Sequence, residues 1–417
     1  MAPRPYEFSM SAFSSSIPDP TLRSNFRHLC ADTLWWGVLA GSTLAFLSVY
    51  AARLGATSLQ IGLLTAAPAV VSLIVSLPAG RWMEHRSLIR VSFYSAIAQR
   101  AGYLVMMALP WLLPASGQVW ALALLVLVMS LPGTLLMIAF NAMFVQVVPP
   151  DWRAQVVGWR NALVAIGVTI ASLLCGRLLD WIVFPLNYQI VFGLGALGAA
   201  LSTYHIGRVR PRQATAQQND GSQRETRSNG RPLLRLDLLR GPFGSLLAVY
   251  LLFYAVQYIP VPVFPLAYVR ELRLSDGAIS LGNALFFVAM FLVSLRLGWI
   301  SNRYGHRRVL VLGALFYGLH PLLVGLARSA TLFWIALAAG GGAWALTGAG
   351  LINRLMERVP PDDLPAHMAL HNLVLNLGIL CGSFVGPALG DGLGLRPTLL
   401  LSAGLWFVSG ILLGLWG

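Results

Sequence analysis

Residues 147–168 read VVPPDWRAQVVGWRNALVAIGV, and 211 positions later residues 358–379 read RVPPDDLPAHMALHNLVLNLGI. Val148, Pro149, Pro150, Asp151, Asn161 and Gly167 stand against Val359, Pro360, Pro361, Asp362, Asn372 and Gly378, and Asp180 stands against Asp391. A second register, offset by 218, sets LGATSLQIG from Leu54 against LRLSDGAIS from Leu272 and aligns Gly80 with Gly298. Two ordered registers of this kind describe a chain built from two copies of one unit.

The composition says what the unit is made of. Of 417 residues, 57% are hydrophobic and 11% charged, where a soluble domain carries about 25% charged residues. That excludes an ordinary soluble enzyme. The 41 glycines and 24 prolines are spread through apolar runs, which excludes a collagen-like or low-complexity chain. Twelve apolar runs, from 33–53 and 58–79 to 368–390 and 397–416, are each near the length that crosses a hydrocarbon core of roughly 30 Å. In lipid every backbone polar group needs an internal partner, so these runs are expected as helices. Residues 208–240 are polar and rich in Arg, Gln, Ser and Asn. The expected organisation is an amino tail 1–32, a six-helix bundle 33–207, a linker 208–242 and a second bundle 243–417. The predicted fold class is an all-α integral membrane protein of twelve transmembrane helices in two pseudo-symmetric halves, with a cavity where the halves meet.

Every basic side chain is an arginine, and the net charge is +14. In a soluble protein that excess would point to nucleic acid. Placed on the twelve runs with both termini cytoplasmic, 22 of the 29 arginines fall on the inner side and six on the outer, and Arg100 falls within a run. This is the positive-inside pattern, so the expectation is a multi-pass protein of the plasma membrane with lipid and no nucleic acid as partner. The polar first 30 residues predict no cleavable leader. Cys30, Cys175 and Cys381 lie far apart, which predicts no disulfide, metal or cofactor site.

Between the eighth and ninth runs the chain reads Gly298-Trp-Ile-Ser-Asn302-Arg303-Tyr-Gly305-His-Arg307-Arg308, and between the second and third Gly80-Arg-Trp-Met-Glu84-His85-Arg86. This resembles the loop signature of the major facilitator superfamily, each copy keeping a different part of it: Glu84 is the acid in the first, where the second has Asn302. The resemblance implies a monomeric transporter that alternates between inward-open and outward-open states. It also implies that the signature's acid and arginine belong to a charge network holding the outward-open state. Loop 2/3 would then face the start of helix 11 and loop 8/9 that of helix 5, where Asp151, Arg153 and Arg160 could partner Arg303 and Arg307. Two marks of the family's proton-coupled drug antiporters are missing, an arginine in helix 4 and a Gly-Pro motif in helix 5.

Substrate candidates are polar residues inside runs, because burying them in hydrocarbon is costly. Arg100 would attract an anionic group or hold carbonyls within its own bundle. Tyr250, Tyr254, Gln257 and Tyr258 share one helical stripe, and the Ile-Pro-Val-Pro that follows predicts a broken helix end. Asn372 and Asn376 share a face beside His371, and Asn141, Asn283 and His320 complete the set. Trp35 and Trp36 are expected at the membrane interface. With Asp32 placed at the cytoplasmic entrance of helix 1, no carboxylate is expected mid-span, which argues against a carboxylate proton relay and leaves the coupling ion open. The expected function is a secondary transporter of a small organic solute. The alternatives are an exporter of apolar, drug-like compounds or a non-transporting sensor on the same frame. A membrane enzyme would need a convergent catalytic set that the sequence lacks.

Overall fold

The computed structural model describes residues 19–83, 86–211, 235–359 and 364–416. Within these residues, twelve long helices run back and forth: α1 Pro20–Arg53, α2 Ser58–Met83, α3 Leu88–Leu112, α4 Ala115–Val147, α5 Pro150–Trp181 and α6 Leu186–Gly207 precede the linker. After it come α7 Pro242–Glu271, α8 Asp276–Tyr304, α9 His306–Leu326, α10 Ala330–Arg358, α11 Leu364–Leu393 and α12 Leu395–Trp416. Eleven are long and apolar enough to cross a membrane. The twelfth, α3, is 25 residues long, carries Arg90, Gln99 and Arg100, and packs between α4 and α6.

Helix starts follow local chemistry. The carboxylate of Asp19 accepts from the Thr21 amide at 2.8 Å and Pro20 occupies the first turn, the arrangement that favours helix initiation. Consequently α1 begins 13 residues before the apolar run that marks it in the sequence, and Leu22, Phe26 and Leu29 are buried on it. Proline also opens α5 and α7. Between α8 and α9 the chain turns at Gly305, whose φ of +79° suits a residue without a Cβ. As the Ile-Pro-Val-Pro stretch predicts, α7 is interrupted between Tyr258 and Val263 and ends in a π-helical turn, Ala267–Glu271. Some hydroxyls inside the helices are satisfied locally: Ser42, Thr65, Ser130 and Thr134 each donate to the carbonyl four residues back.

Within the first half α1 packs on α5 and α6, α2 on α4, and α3 on α4 and α6. In the second, α7 packs on α11 and α12, α8 on α10, and α9 on α10 and α12. Adding six to each helix number converts one list into the other, so the sequence repeat is a repeat of packing. Each half has its own core. Leu39, Phe46, Tyr50, Tyr188 and Phe192 form the first, and Tyr250, Phe253, Leu310 and Trp406 the second. Because lipid tails are as apolar as leucine, such cores are held by close packing rather than by expulsion of water.

Candidate functional site

The bundle has two ends. The linker end carries Met83, Leu88, Val147, Pro150, Gly207 and Pro242, and the far end carries Arg53, Ser58, Trp181, Leu186 and Asp276. The halves meet along α2–α11 and α5–α8, and toward the far end this contact is intimate. Ser172 and Ser280 each give a hydroxyl hydrogen bond to the other's carbonyl. Arg53 bonds Asp276 at 3.0 Å and the Leu274 carbonyl at 2.6 Å, and Arg270 donates to the Ala56 carbonyl. Asp180, at the end of α5, accepts from the Gly277 amide at 3.0 Å and so caps the start of α8. At the linker end of the same helices, Gly80, Gly158 and Gly298 face open space.

A cavity of ≈ 510 Å³ lies between the halves. Trp36, Thr65, Ser72, Gln99, Ser130 and Thr134 line it from the first half, and Tyr258, Asn376 and Ile379 from the second. Leu64, Met106, Met129 and Met137 are among its apolar residues, Tyr103 adds a further ring, and no Asp, Glu or Arg is among the described residues that line it. Asn376 donates to the carbonyl and side-chain oxygen of Asn372, at 2.8 and 3.3 Å, which fixes its amide.

A second chamber, of ≈ 460 Å³, lies on the linker side of the first, within the amino-terminal half, and shares Trp36, Gln99, Gly133 and Met137 with it. Its polar lining is Asp32, Thr33, Arg100, Asn141, Arg160 and Asn161. Asp32 is 4% exposed, 12 residues along α1, or about 18 Å from its start. This corrects the placement of Asp32 at the entrance of helix 1, since the helix begins at Pro20. The Ser202 hydroxyl donates to one Asp32 oxygen, and Arg160 Nη2 stands 3.7 Å from the other. Arg160 Nε donates to Thr33 Oγ1 at 2.6 Å, and its guanidinium lies over Phe140, 4.7 Å from the ring centre. Arg100 is buried and donates through Nη1 to Thr203 Oγ1 at 2.8 Å and the Ala199 carbonyl at 3.2 Å.

The sequence profile of the family described as Major Facilitator Superfamily matches residues 29–248 and again residues 246–417, once on each half. The chain belongs to the major facilitator superfamily. It is therefore a multi-pass membrane transporter of small molecules and not an enzyme. A protein of Deinococcus radiodurans named "Putative sugar efflux transporter" is 26% identical over 86% of this chain and 90% of its own. Among solved structures, the nucleoside transporter NupG has a TM-score of 0.70 at 14% identity, covering 94% of this chain and 98% of its own. The xylose transporter XylE from E. coli, in a partially occluded inward-open conformation, has 0.67 at 13%, covering 95% and 97%. At these identities the structural likeness concerns the fold.

In this superfamily member the described residues of the loop signature lie at the linker end. Glu84 and His85 lie outside the described residues, as do Pro360, Pro361, Asp362 and Asp363. Gly80, Asn302, Arg303 and Arg308 are exposed. Arg86 stacks on Trp82, 4.1 Å from its ring centre. The pairing of helix 5 with Arg303 and Arg307 is not what this conformation holds. Arg153 donates to the Val145 and Val148 carbonyls, Arg160 turns inward to Thr33 and Asp32, and Arg307 donates to the Gly414 carbonyl. Asp151 is exposed at the first turn of α5.

The remaining candidates separate by location. Only Tyr258 of the α7 stripe lines the central cavity. Tyr250 donates to the Leu351 carbonyl and Tyr254 shares a 2.8 Å hydrogen bond with His371, both within the second half. Gln257 is buried with Oε1 unpartnered among the described residues. His320 is buried and stacks on Phe264 at 4.6 Å. Asn283 is half-buried on α8, lining neither cavity. Asn376 lines the central cavity and Asn141 the charged chamber, and Trp36, expected at the interface, lines both.

Proposed function

We propose that this chain is a secondary transporter that carries a small hydroxylated solute, of the sugar or nucleoside type, by alternating access through the central cavity. The observation that carries the reading is that cavity's lining. Thr65, Ser130 and Thr134 have given their protons to their own helix and offer lone pairs to solute hydroxyls. Gln99 and Asn376 supply amides, and Trp36 and Tyr258 supply rings. A neutral, hydrogen-bonding pocket with few polar groups set in an apolar wall suits an uncharged ring carrying hydroxyls. The sugar-efflux relative supports the same class.

With the arginine-rich linker end on the cytoplasmic side of the plasma membrane, as the positive-inside rule requires, the conformation is inward-open, and both termini are cytoplasmic. The linker ends of α2, at Gly80, and of α8, at Gly298 and Arg303, then close against the opposite half in the outward-open state, which is their gating role. The deciding experiment is counterflow in proteoliposomes with labelled hexoses, pentoses, nucleosides and sugar acids. At least one solute exchanges, and Tyr258→Ala and Asn376→Ala each slow it about tenfold, the loss of one good hydrogen bond to the transition between states. Absence of exchange for every solute overturns the reading. An apolar exporter is the second reading, favoured by Met106, Met129 and Met137 on the wall; exchange of hydrophobic dyes but no sugar would select it.

A further inference from the structure

The charged chamber adjoins the cavity assigned above to the solute, and its charges do not balance. Arg100 and Arg160 face a single carboxylate, Asp32. Among the described residues the side chain of Asp32 takes one direct hydrogen bond, from Ser202, while Arg160 Nη2 at 3.7 Å is within ion-pairing range and beyond hydrogen-bond distance. The described bonds of Arg160 use Nε alone and those of Arg100 use Nη1 alone, out of five donor hydrogens on each guanidinium. The remaining donors belong to side chains that line an open chamber. Two guanidiniums and one carboxylate on the same wall leave the chamber one net positive charge, and a cleft lined by an excess of one sign of charge attracts the opposite one.

Trp36 and Gln99 belong to both walls, so one molecule can occupy both spaces. We propose that the chamber is an anion subsite of the solute's binding site, and that the preferred cargo is a hydroxylated carboxylate such as a sugar acid. Its hydroxyls lie in the neutral cavity and its carboxylate lies on Arg100 and Arg160. The charge count selects this class. One carboxylate cancels one excess charge, whereas a phosphomonoester brings about −1.5 to −2 at neutral pH and over-compensates. The planar guanidinium fork also matches a carboxylate in bidentate fashion, and Phe140 beneath Arg160 keeps that plane in place. This inference rests on the central cavity being the solute site.

The test uses the full chain in proteoliposomes with matched solutes: glucose with glucuronate, galactose with galacturonate, and glucose 6-phosphate. In at least one pair the acid should compete at least tenfold better than its neutral parent. Arg100→Gln and Arg160→Gln should each bring the acid-to-neutral ratio close to one, and Arg100→Lys should retain part of it. Should a variant fold poorly, the acid-dependent rise in melting temperature of the wild-type chain in detergent reads the same site. Neutral sugars exchanging with no preference for the acid would overturn the inference and leave the proposed function standing. Glucose 6-phosphate competing better than glucuronate would overturn the carboxylate assignment, and exchange of neither acids nor neutral sugars would overturn both readings.

Discussion

Gly62 and Gly80 lie on the same helix, yet a Cβ on Gly62 would stand 2.5 Å from the Ser383 carbonyl oxygen of α11, while one on Gly80 would meet nothing within 4 Å. The α2–α11 contact is therefore closed toward the far end and open toward the linker end. The same contrast holds on the other pair, where a Cβ on Gly176 would press on Ser280 while Gly158 and Gly298 face open space. A transporter whose halves rock must break one set of contacts to make the other, so residues at the closed end set the balance between conformations.

Gly62→Ala inserts a methyl group between two backbones that have no flexible side chain to move aside. Overpacking costs about 1–3 kcal/mol, which corresponds to a 5–150-fold shift in a two-state equilibrium. In a cysteine-free background with Gly298→Cys as reporter, maleimide labelling at the linker end should fall by that order, while Gly158→Ala leaves it unchanged. Equal labelling in both would contradict the assignment of the closed end.

Arg53 and Asp276 join the halves across the far end, with side-chain exposures of 27% and 10%. A partly exposed pair of this kind contributes about 1 kcal/mol. Arg53→Ala and Asp276→Ala should each raise far-end labelling several-fold, with a coupling energy near 1 kcal/mol in a double-mutant cycle. Strict additivity would mean that Arg53 acts through the Leu274 carbonyl alone.

The helix pattern was legible in the sequence because hydrocarbon imposes long apolar runs, and the pseudo-symmetry because both halves solve the same packing problem. The charged chamber was not legible, for a specific reason. A hydropathy window starts helix 1 at residue 33 and leaves Asp32 outside it, although the Asp19-Pro20 start signal was present. Arg160 reads in the sequence as one more inner-side arginine near helix 5, yet it lies ten residues into α5 and turns inward to Thr33 and Asp32. Spacing placed Tyr250, Tyr254 and Tyr258 on one stripe, but periodicity does not tell which part of a stripe faces a cavity and which faces neighbouring helices. Trp36 carried only the generic signal of an interfacial aromatic.

Removing one partner of a buried ion pair is worse than removing both, because the survivor keeps its desolvation cost without compensation. Asp32→Ala leaves Arg100 and Arg160 without a counter-charge and should destabilise the first half by about 3–5 kcal/mol. Asp32→Ala combined with Arg160→Met should melt higher than Asp32→Ala alone in detergent-solubilised protein. The opposite order would show that Asp32 is held by Ser202 and contributes little through Arg160.

Tyr254 and Tyr258 are one helical turn apart on α7 and differ in what they face. Tyr254 is buried and hydrogen-bonded to His371 at 2.8 Å, whereas Tyr258 is half-buried on the cavity wall. Losing the Tyr254 hydroxyl should cost about 1 kcal/mol, more if the imidazole is left unpaired, and it should appear as a lower melting temperature. Losing the Tyr258 hydroxyl removes a donor from the solute's surroundings and should appear in apparent affinity. Tyr254→Phe is thus expected to melt lower with near-normal exchange, and Tyr258→Phe to melt normally with exchange weakened several-fold. If Tyr254→Phe weakened exchange as much as Tyr258→Phe at unchanged melting temperature, the solute would have to reach past Asn376 toward His371, and the cavity assigned to it would extend into the second half.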